Sequence, residues 1–91
     1  MELRMAKSLA GHDKGELYVV LGEDGHDVVL VNGRNRTMEA PKRKRRRQVQ
    51  LVTHFPTELV RTAAAAERWT DESVRKVIRG YHTLQAQYGG K

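Results

Sequence analysis

The fold is decided by residues 8–21, which read SLAGHDKGELYVVL. Gly11 and Gly15 bracket a short polar loop that carries Lys14, and an apolar run of Leu, Tyr and Val follows at once. Glycine tolerates positive φ and lets the backbone approach a ligand closely. The stretch therefore predicts a tight loop ahead of a strand. That loop is either a simple turn or a turn whose amides, with Lys14, receive an anion such as phosphate.

The chain has 91 residues and a net charge of +6, which leaves room for one small domain and little for an enclosed catalytic cleft. Cysteine is absent, so disulfides and thiolate metal sites are excluded. The four histidines are scattered without ligand spacing, and no nucleophile–base arrangement has local support. We expect no enzyme activity, no metal, no cofactor and no small-molecule substrate. No apolar run reaches membrane-spanning length, and a cytoplasmic protein is expected.

The positive charge is concentrated in residues 42–47, which read KRKRRR, whereas residues 1–40 carry more acidic than basic side chains. Six consecutive cations repel one another unless a partner neutralises them, and arginine binds phosphate through two hydrogen bonds. We expect a basic loop here that binds a polyanion, with nucleic acid as the first candidate. A solvated surface loop and an anionic membrane surface are the alternatives, although no apolar face accompanies the block.

Short strands separated by turn signals dominate the first part of the chain. The Asp-Gly pair at 24–25 and the Asn-Gly pair at 32–33 are typical of hairpin turns. The strands are predicted at residues 3–9, 17–21, 27–31, 34–39 and 48–52, the fourth as an edge strand that ends before Pro41. Five such strands predict a small antiparallel barrel, whose closure would remove exposed edges.

Helix signals dominate the remainder. Pro56 and the run of four alanines predict a helix over residues 57–69, and Thr70 is a suitable N-cap for a second helix. The second helix has an apolar face that either packs inside the protein or binds a protein partner. Basic residues on its other side either contact RNA or are solvated. Residues 85–91 are predicted to be a frayed tail, and the chain divides into residues 1–54 and 55–91.

Residues 8–15 and the valine-rich strand after them resemble a KOW motif. Residues 29–36 (VLVNGRNR) and 41–44 (PKRK) are similar to the corresponding strand, turn and basic segment of bacterial KOW-domain proteins. These proteins are related to the 14e-type large-subunit ribosomal proteins of archaea and eukaryotes. The resemblance covers about residues 3–52. His12 stands where the family often has arginine, and the first strand lacks the usual Gly-x-Val-Val start.

The resemblance implies an SH3-like barrel that binds RNA, usually ribosomal RNA, without catalysis. It predicts a protein of the large ribosomal subunit, with neighbouring ribosomal proteins as further partners of the helices. A protein-interaction module of the transcription machinery is the alternative. The residues predicted to bind RNA are Gly11, His12, Lys14, Gly15, Arg34, Arg36, Lys42, Arg43, Lys44, Arg45, Arg46 and Arg47. Tyr18 is either a base-stacking residue or part of the core.

Overall fold

A computed structural model describes the backbone of residues 2–88 and the side chains of residues 2–84. A five-stranded antiparallel sheet is followed by two helices, as the sequence predicts. The elements are β1 (Met5–Ser8), β2 (Leu17–Asp24), β3 (Asp27–Val31), β4 (Lys42–Arg45), a single 3₁₀ turn (Arg46–Gln48), β5 (Val49–Val52), α1 (Thr57–Ala65) and α2 (Asp71–Tyr88).

The strands are arranged in the order β4-β3-β2-β1-β5, and each pairs antiparallel with its neighbours. The strands β4 and β5 therefore form the two edges, and the predicted closure into a barrel is not present. The 3₁₀ turn joins the two edge strands directly. A bulge between Val20 and Gly22 adds one residue to β2, and such a bulge increases the local bend and twist of a strand.

The fourth strand is not where the sequence predicts it. Residues 34–39 form bends, whereas the segment expected to be a basic loop supplies β4 and the 3₁₀ turn. Asn32 explains the bends, because its Oδ1 accepts hydrogen bonds from the backbone amides of Arg34 and Arg36. These bonds hold residues 32–36 in a compact turn that cannot extend into a ladder. Strand pairing resumes only at Lys42, which lies opposite Leu30.

Each face of the sheet covers a separate apolar core. One face packs against both helices, and the other carries a second cluster, whose Tyr18 donates a hydrogen bond to Asp13 in the loop that follows β1. The helix-side core comprises Leu3, Met5, Leu17, Val19, Val31, Leu59, Ala63, Trp69, Val74, Val77 and Ile78. The second core comprises Ala6, Tyr18, Val20, Val28, Leu30 and Val49. The predicted apolar face of α2 is thus occupied by the sheet, and Tyr18 is a core residue.

The helix boundaries differ from the prediction at two points. The first helix ends at Ala65, because the chain turns at Ala66 and then buries Trp69 in the helix-side core. The predicted cap of α2 is present, since Thr70 and Ser73 exchange hydrogen bonds between side chain and backbone amide. The helix continues to Tyr88, so the predicted frayed tail is wrong for residues 85–88. Residues 89–91 lie outside the described part of the chain.

The turn at residues 32–38 is docked directly onto the start of α2. Gly33 has a φ of 78°, and a Cβ atom there would lie 2.6 Å from the carbonyl oxygen of Asp71. The Asp71 carboxylate accepts a hydrogen bond from the amide of Met38 at 2.8 Å, and Arg75 Nη1 donates to the Gly33 carbonyl at 2.6 Å. The contact fixes the position of α2 relative to the turn.

The Gly33→Ala substitution is expected to destabilise the protein by about 3 kcal/mol, through positive φ and overlap with α2. The matched control is Gly25→Ala, at a residue with a φ of 65° where a Cβ atom meets nothing within 4 Å. That change is expected to cost only about 1 kcal/mol. Urea unfolding measures both. Equal losses would contradict the close contact between Gly33 and α2.

Candidate functional site

The loop between β1 and β2 is closed by its own backbone. The amide of Gly15 donates to the Ser8 carbonyl, and the amide of Ser8 donates to the Glu16 carbonyl, each at 2.9 Å. Gly11 and Gly15 have φ values of 90° and 91°, which explains why the loop needs glycine at both positions. Within the described residues, the amides of Gly11 and His12 have no hydrogen-bond partner. These amides are available to an external acceptor.

Asp13 anchors this loop to the sheet through both carboxylate oxygens. Its Oδ2 accepts a hydrogen bond from Tyr18 Oη at 2.6 Å, and its Oδ1 lies 3.1 Å from Lys44 Nζ. Ser8 Oγ lies 3.0 Å from the same Oδ1, and Lys44 Nζ also donates to the Ala10 carbonyl at 3.0 Å. The Lys44 side chain is only 8% exposed. One carboxylate therefore joins the loop to β1, β2 and β4.

This network shifts two pKa values in opposite directions. Burial opposes ionisation of Asp13, but hydrogen bonds from Tyr18, Lys44 and Ser8 outweigh it and lower the pKa of Asp13 to about 2. Burial and the hydrogen bond to Asp13 raise the pKa of the Tyr18 phenol above its ordinary value. The carboxylate thus remains charged, and the phenol remains a donor, throughout the physiological range.

A groove of about 550 Å³ opens beside the loop, at the end of the sheet where β2 begins and β3 ends. We call it the loop groove. It is lined by Gly11, His12, Asp13, Glu16, Tyr18, Asn32, Asn35, Arg36, Lys42 and Lys44. Glu16 accepts a hydrogen bond from Asn32 at 3.0 Å, and Asp13 is held as described above. Among the lining residues, Arg36 and Lys42 are the cations without an acidic partner in the described structure.

The predicted basic block does not form one uniform surface. In β4, side chains alternate between the faces of the sheet, so Lys42 and Lys44 both lie on the loop-groove side. Arg43 and Arg45 lie on the opposite side, beside the acidic residues of the β2–β3 hairpin. Lys44 contacts Asp13, so it stabilises the loop within the protein. The expectation that all six cations share one exposed loop is therefore wrong.

Carboxylates of the β2–β3 hairpin form ion pairs with three arginines of the basic block, and also with Arg4. The ion pairs are Arg4–Glu23 at 2.6 Å, Arg46–Glu23 at 2.7 Å, Arg43–Asp24 at 2.5 Å, and Arg43–Asp27 and Arg45–Asp27 at 3.7 Å. A second groove of about 560 Å³ is lined by His26, Arg45, Arg46 and Arg47. Of these arginines, Arg47 has no acidic partner in the described structure. Exposed pairs of this kind contribute little stability, but their carboxylates repel a nearby phosphate.

A third groove, of about 280 Å³, lies between the turn at residues 32–36 and α2. We call it the helix groove. It is lined by Asn32, Arg34, Arg75, Ile78, Arg79, His82 and Thr83, with no acidic residue. The sequence analysis leaves the basic residues of α2 as either RNA contacts or solvated residues, and residues 75, 79 and 82 are spaced to lie on one face of a helix. It does not place them beside Arg34 in one groove. The position of Arg34 opposite that face depends on how the turn docks.

The twelve predicted residues are thus distributed over several places. The loop groove brings together Gly11, His12, Arg36, Lys42 and Lys44. The second groove holds Arg45, Arg46 and Arg47, and the helix groove holds Arg34. Gly15 lines a smaller groove with Lys7 and His82, Arg43 lies on the hairpin side, and Lys14 is exposed in the loop. Their contacts with RNA remain predictions.

Among the described residues, no helix is long and apolar enough to cross a membrane, and no group of three or more acidic or histidine side chains has the arrangement of a metal site.

No protein-family model matches the chain, and no curated protein matches it significantly. The resemblance to the KOW family therefore stays a prediction.

The Asp13→Asn substitution is expected to cost about 2–4 kcal/mol of stability, because it leaves the Lys44 ammonium buried without a counter-charge. The matched control is Asp24→Asn, which breaks the exposed pair with Arg43 and is expected to cost less than about 1 kcal/mol. Chemical unfolding at pH 7 measures both. Equal small losses would contradict an anchoring role for Asp13.

The Asp13 contribution is also expected to depend on pH. Its pKa falls from 3.8 to about 2 on folding, so the stabilisation is complete above about pH 4 and is lost as pH falls towards 2. This shift corresponds to about 2 kcal/mol for a side chain that is 18% exposed. The free-energy gap between wild type and Asp13→Asn should narrow by that amount between pH 5 and pH 2. A gap that stays constant would contradict the lowered pKa.

Proposed function

We propose that this chain is a non-catalytic RNA-binding protein that associates with ribosomal RNA of the large subunit. We further propose that the curved sheet is an open SH3-like barrel of the KOW type. The observation that carries the proposal is the loop groove, where two cations without acidic partners lie beside free backbone amides. The groove also contains the carboxylates of Asp13 and Glu16, which its Lys and Arg side chains outnumber. Phosphate oxygens accept hydrogen bonds from both kinds of donor.

The two acidic residues of the loop groove have structural roles. The Asp13 carboxylate is held by three side-chain donors, and Glu16 is hydrogen-bonded to Asn32. Both acids thus hold the loop and the neighbouring turn in place. A general acid or base needs a proton that it can exchange with a substrate near the working pH, and the lowered pKa of Asp13 is unsuited to that role.

The aromatic residues favour recognition of the RNA backbone. Among the described side chains, Tyr18 and Trp69 are buried, and Phe55 and Tyr81 are half-buried in edge-to-face contact. Stacking on single-stranded bases requires an exposed aromatic face. Contacts to phosphate and sugar would position the protein on a folded RNA without reading its sequence.

The protein is expected to co-sediment with large ribosomal subunits at low salt and to dissociate at high salt. The double variant Arg36→Gln/Lys42→Gln should weaken this association about tenfold or more, because two phosphate contacts are lost. The matched control is Arg61→Gln/Arg68→Gln, which removes the same charge from two exposed residues outside the grooves. Gradient sedimentation with quantitative blotting measures all three proteins.

Two results would contradict this proposal. Equal losses in both double variants would mean that net charge, and not the loop groove, accounts for the association. Sedimentation with RNA polymerase in place of ribosomal subunits would favour the alternative module of the transcription machinery.

A further inference from the structure

The helix groove collects positive charge from two distant parts of the chain. Arg34 comes from the turn after β3, and Arg75, Arg79 and His82 come from α2. Arg34 and Arg79 are exposed and have no acidic partner among the described residues. By contrast, the arginines beside the β2–β3 hairpin face three carboxylates. The helix groove therefore has the stronger local preference for an anion.

The backbone of the turn that forms one wall of the helix groove is held in place by hydrogen bonds. Arg75 uses one N–H to bond the Gly33 carbonyl, and a guanidinium has four further N–H groups. Gly33 lies directly against α2, and the hydrogen bond from the Met38 amide to the Asp71 carboxylate also holds the turn on the helix. Asn32, only 4% exposed, bonds the amides of Arg34 and Arg36. A site that is already ordered loses less entropy on binding.

The helix groove lies next to the loop groove. Asn32 lines both, and the turn that it holds places Arg36 in the loop groove and Arg34 in the helix groove. At its other side, His82 also lines the groove of about 290 Å³ that contains Lys7 and Gly15. The cations Lys42, Arg36, Arg34 and Arg79 therefore line two neighbouring grooves at one end of the sheet, and we call this set the cation path.

We propose that this path binds the phosphate backbone of double-helical RNA, with the helix groove as a second phosphate-binding surface beside the loop groove. The inference rests on the proposed function, since it extends the same RNA contact from the loop onto α2. Duplex RNA is the occupant favoured here, because the path carries cations without an exposed Phe, Tyr or Trp among the described side chains. Arg47 and its ion-paired neighbours lie outside this path.

The test measures binding to a fluorescently labelled RNA duplex of about 20 base pairs by anisotropy, over a range of salt concentrations. Arg34→Gln/Arg79→Gln should weaken binding about tenfold or more near 0.1 M salt and reduce the log–log salt slope by roughly 2. The control Arg61→Gln/Arg68→Gln should bind within about twofold of wild type. Circular dichroism and thermal unfolding should show that each variant is folded.

Each alternative result has a distinct meaning. Suppose that Arg36→Gln/Lys42→Gln weakens duplex binding, whereas Arg34→Gln/Arg79→Gln binds the duplex as tightly as the control variant. That result would overturn the helix groove as a phosphate-binding surface and leave the proposed function standing. Tighter binding to one strand of the duplex than to the duplex itself would overturn the duplex as occupant. No binding of wild type to either RNA at low salt would overturn both the inference and the proposed function.

Discussion

The hydrogen-bonded carboxylate of Asp13, which is only partly exposed, is the group on which the candidate site depends. It accepts hydrogen bonds from Tyr18 and Lys44, and the Ser8 hydroxyl also lies within hydrogen-bonding distance. One side chain therefore joins the glycine loop to three strands. A lysine that is almost fully buried requires a counter-charge, and Asp13 supplies it. This pair holds the loop against β4, and it leaves Lys44 unavailable to an external anion. The conformation of the loop and the distribution of charge therefore have a common cause.

The alternation of side chains along β4 determines what the other cations do. Lys42 shares the loop-groove side with Lys44, whereas Arg43 and Arg45 are placed beside Asp24 and Asp27. The segment with the highest formal charge is thus substantially neutralised within the protein. Among the described residues, Lys42, Arg36, Arg34 and Arg79 have no acidic partner and line the two grooves beside the turn held by Asn32. A run of basic residues in a sequence does not by itself locate the surface that binds an anion.

Local patterns were sufficient for much of the fold. Valine-rich runs identified β2 and β3, the Asp-Gly pair identified the hairpin between them, and Thr70 identified the start of α2. The fourth strand was missed because six consecutive cations resemble a solvated loop. Its strand character depends on tertiary contacts, namely pairing with β3 and the hydrogen bond from Lys44 to Asp13, which is 31 residues away. The basic residues of α2 were considered as RNA contacts, but their combination with Arg34 in one groove was not predicted, for the same reason. Helical spacing places Arg75 and Arg79 on one face, but the opposing arginine depends on the docking of Gly33.

The central claim is that RNA contacts the loop end of the sheet and α2 in preference to the arginines beside the hairpin. Mapping of amide chemical shifts during titration with duplex RNA tests it most directly. The account predicts that the largest changes occur at residues 10–12, 32–36 and 75–82, with smaller changes at residues 23–27 and 43–47. Changes concentrated at residues 43–47, with residues 32–36 and 75–82 unaffected, would contradict it.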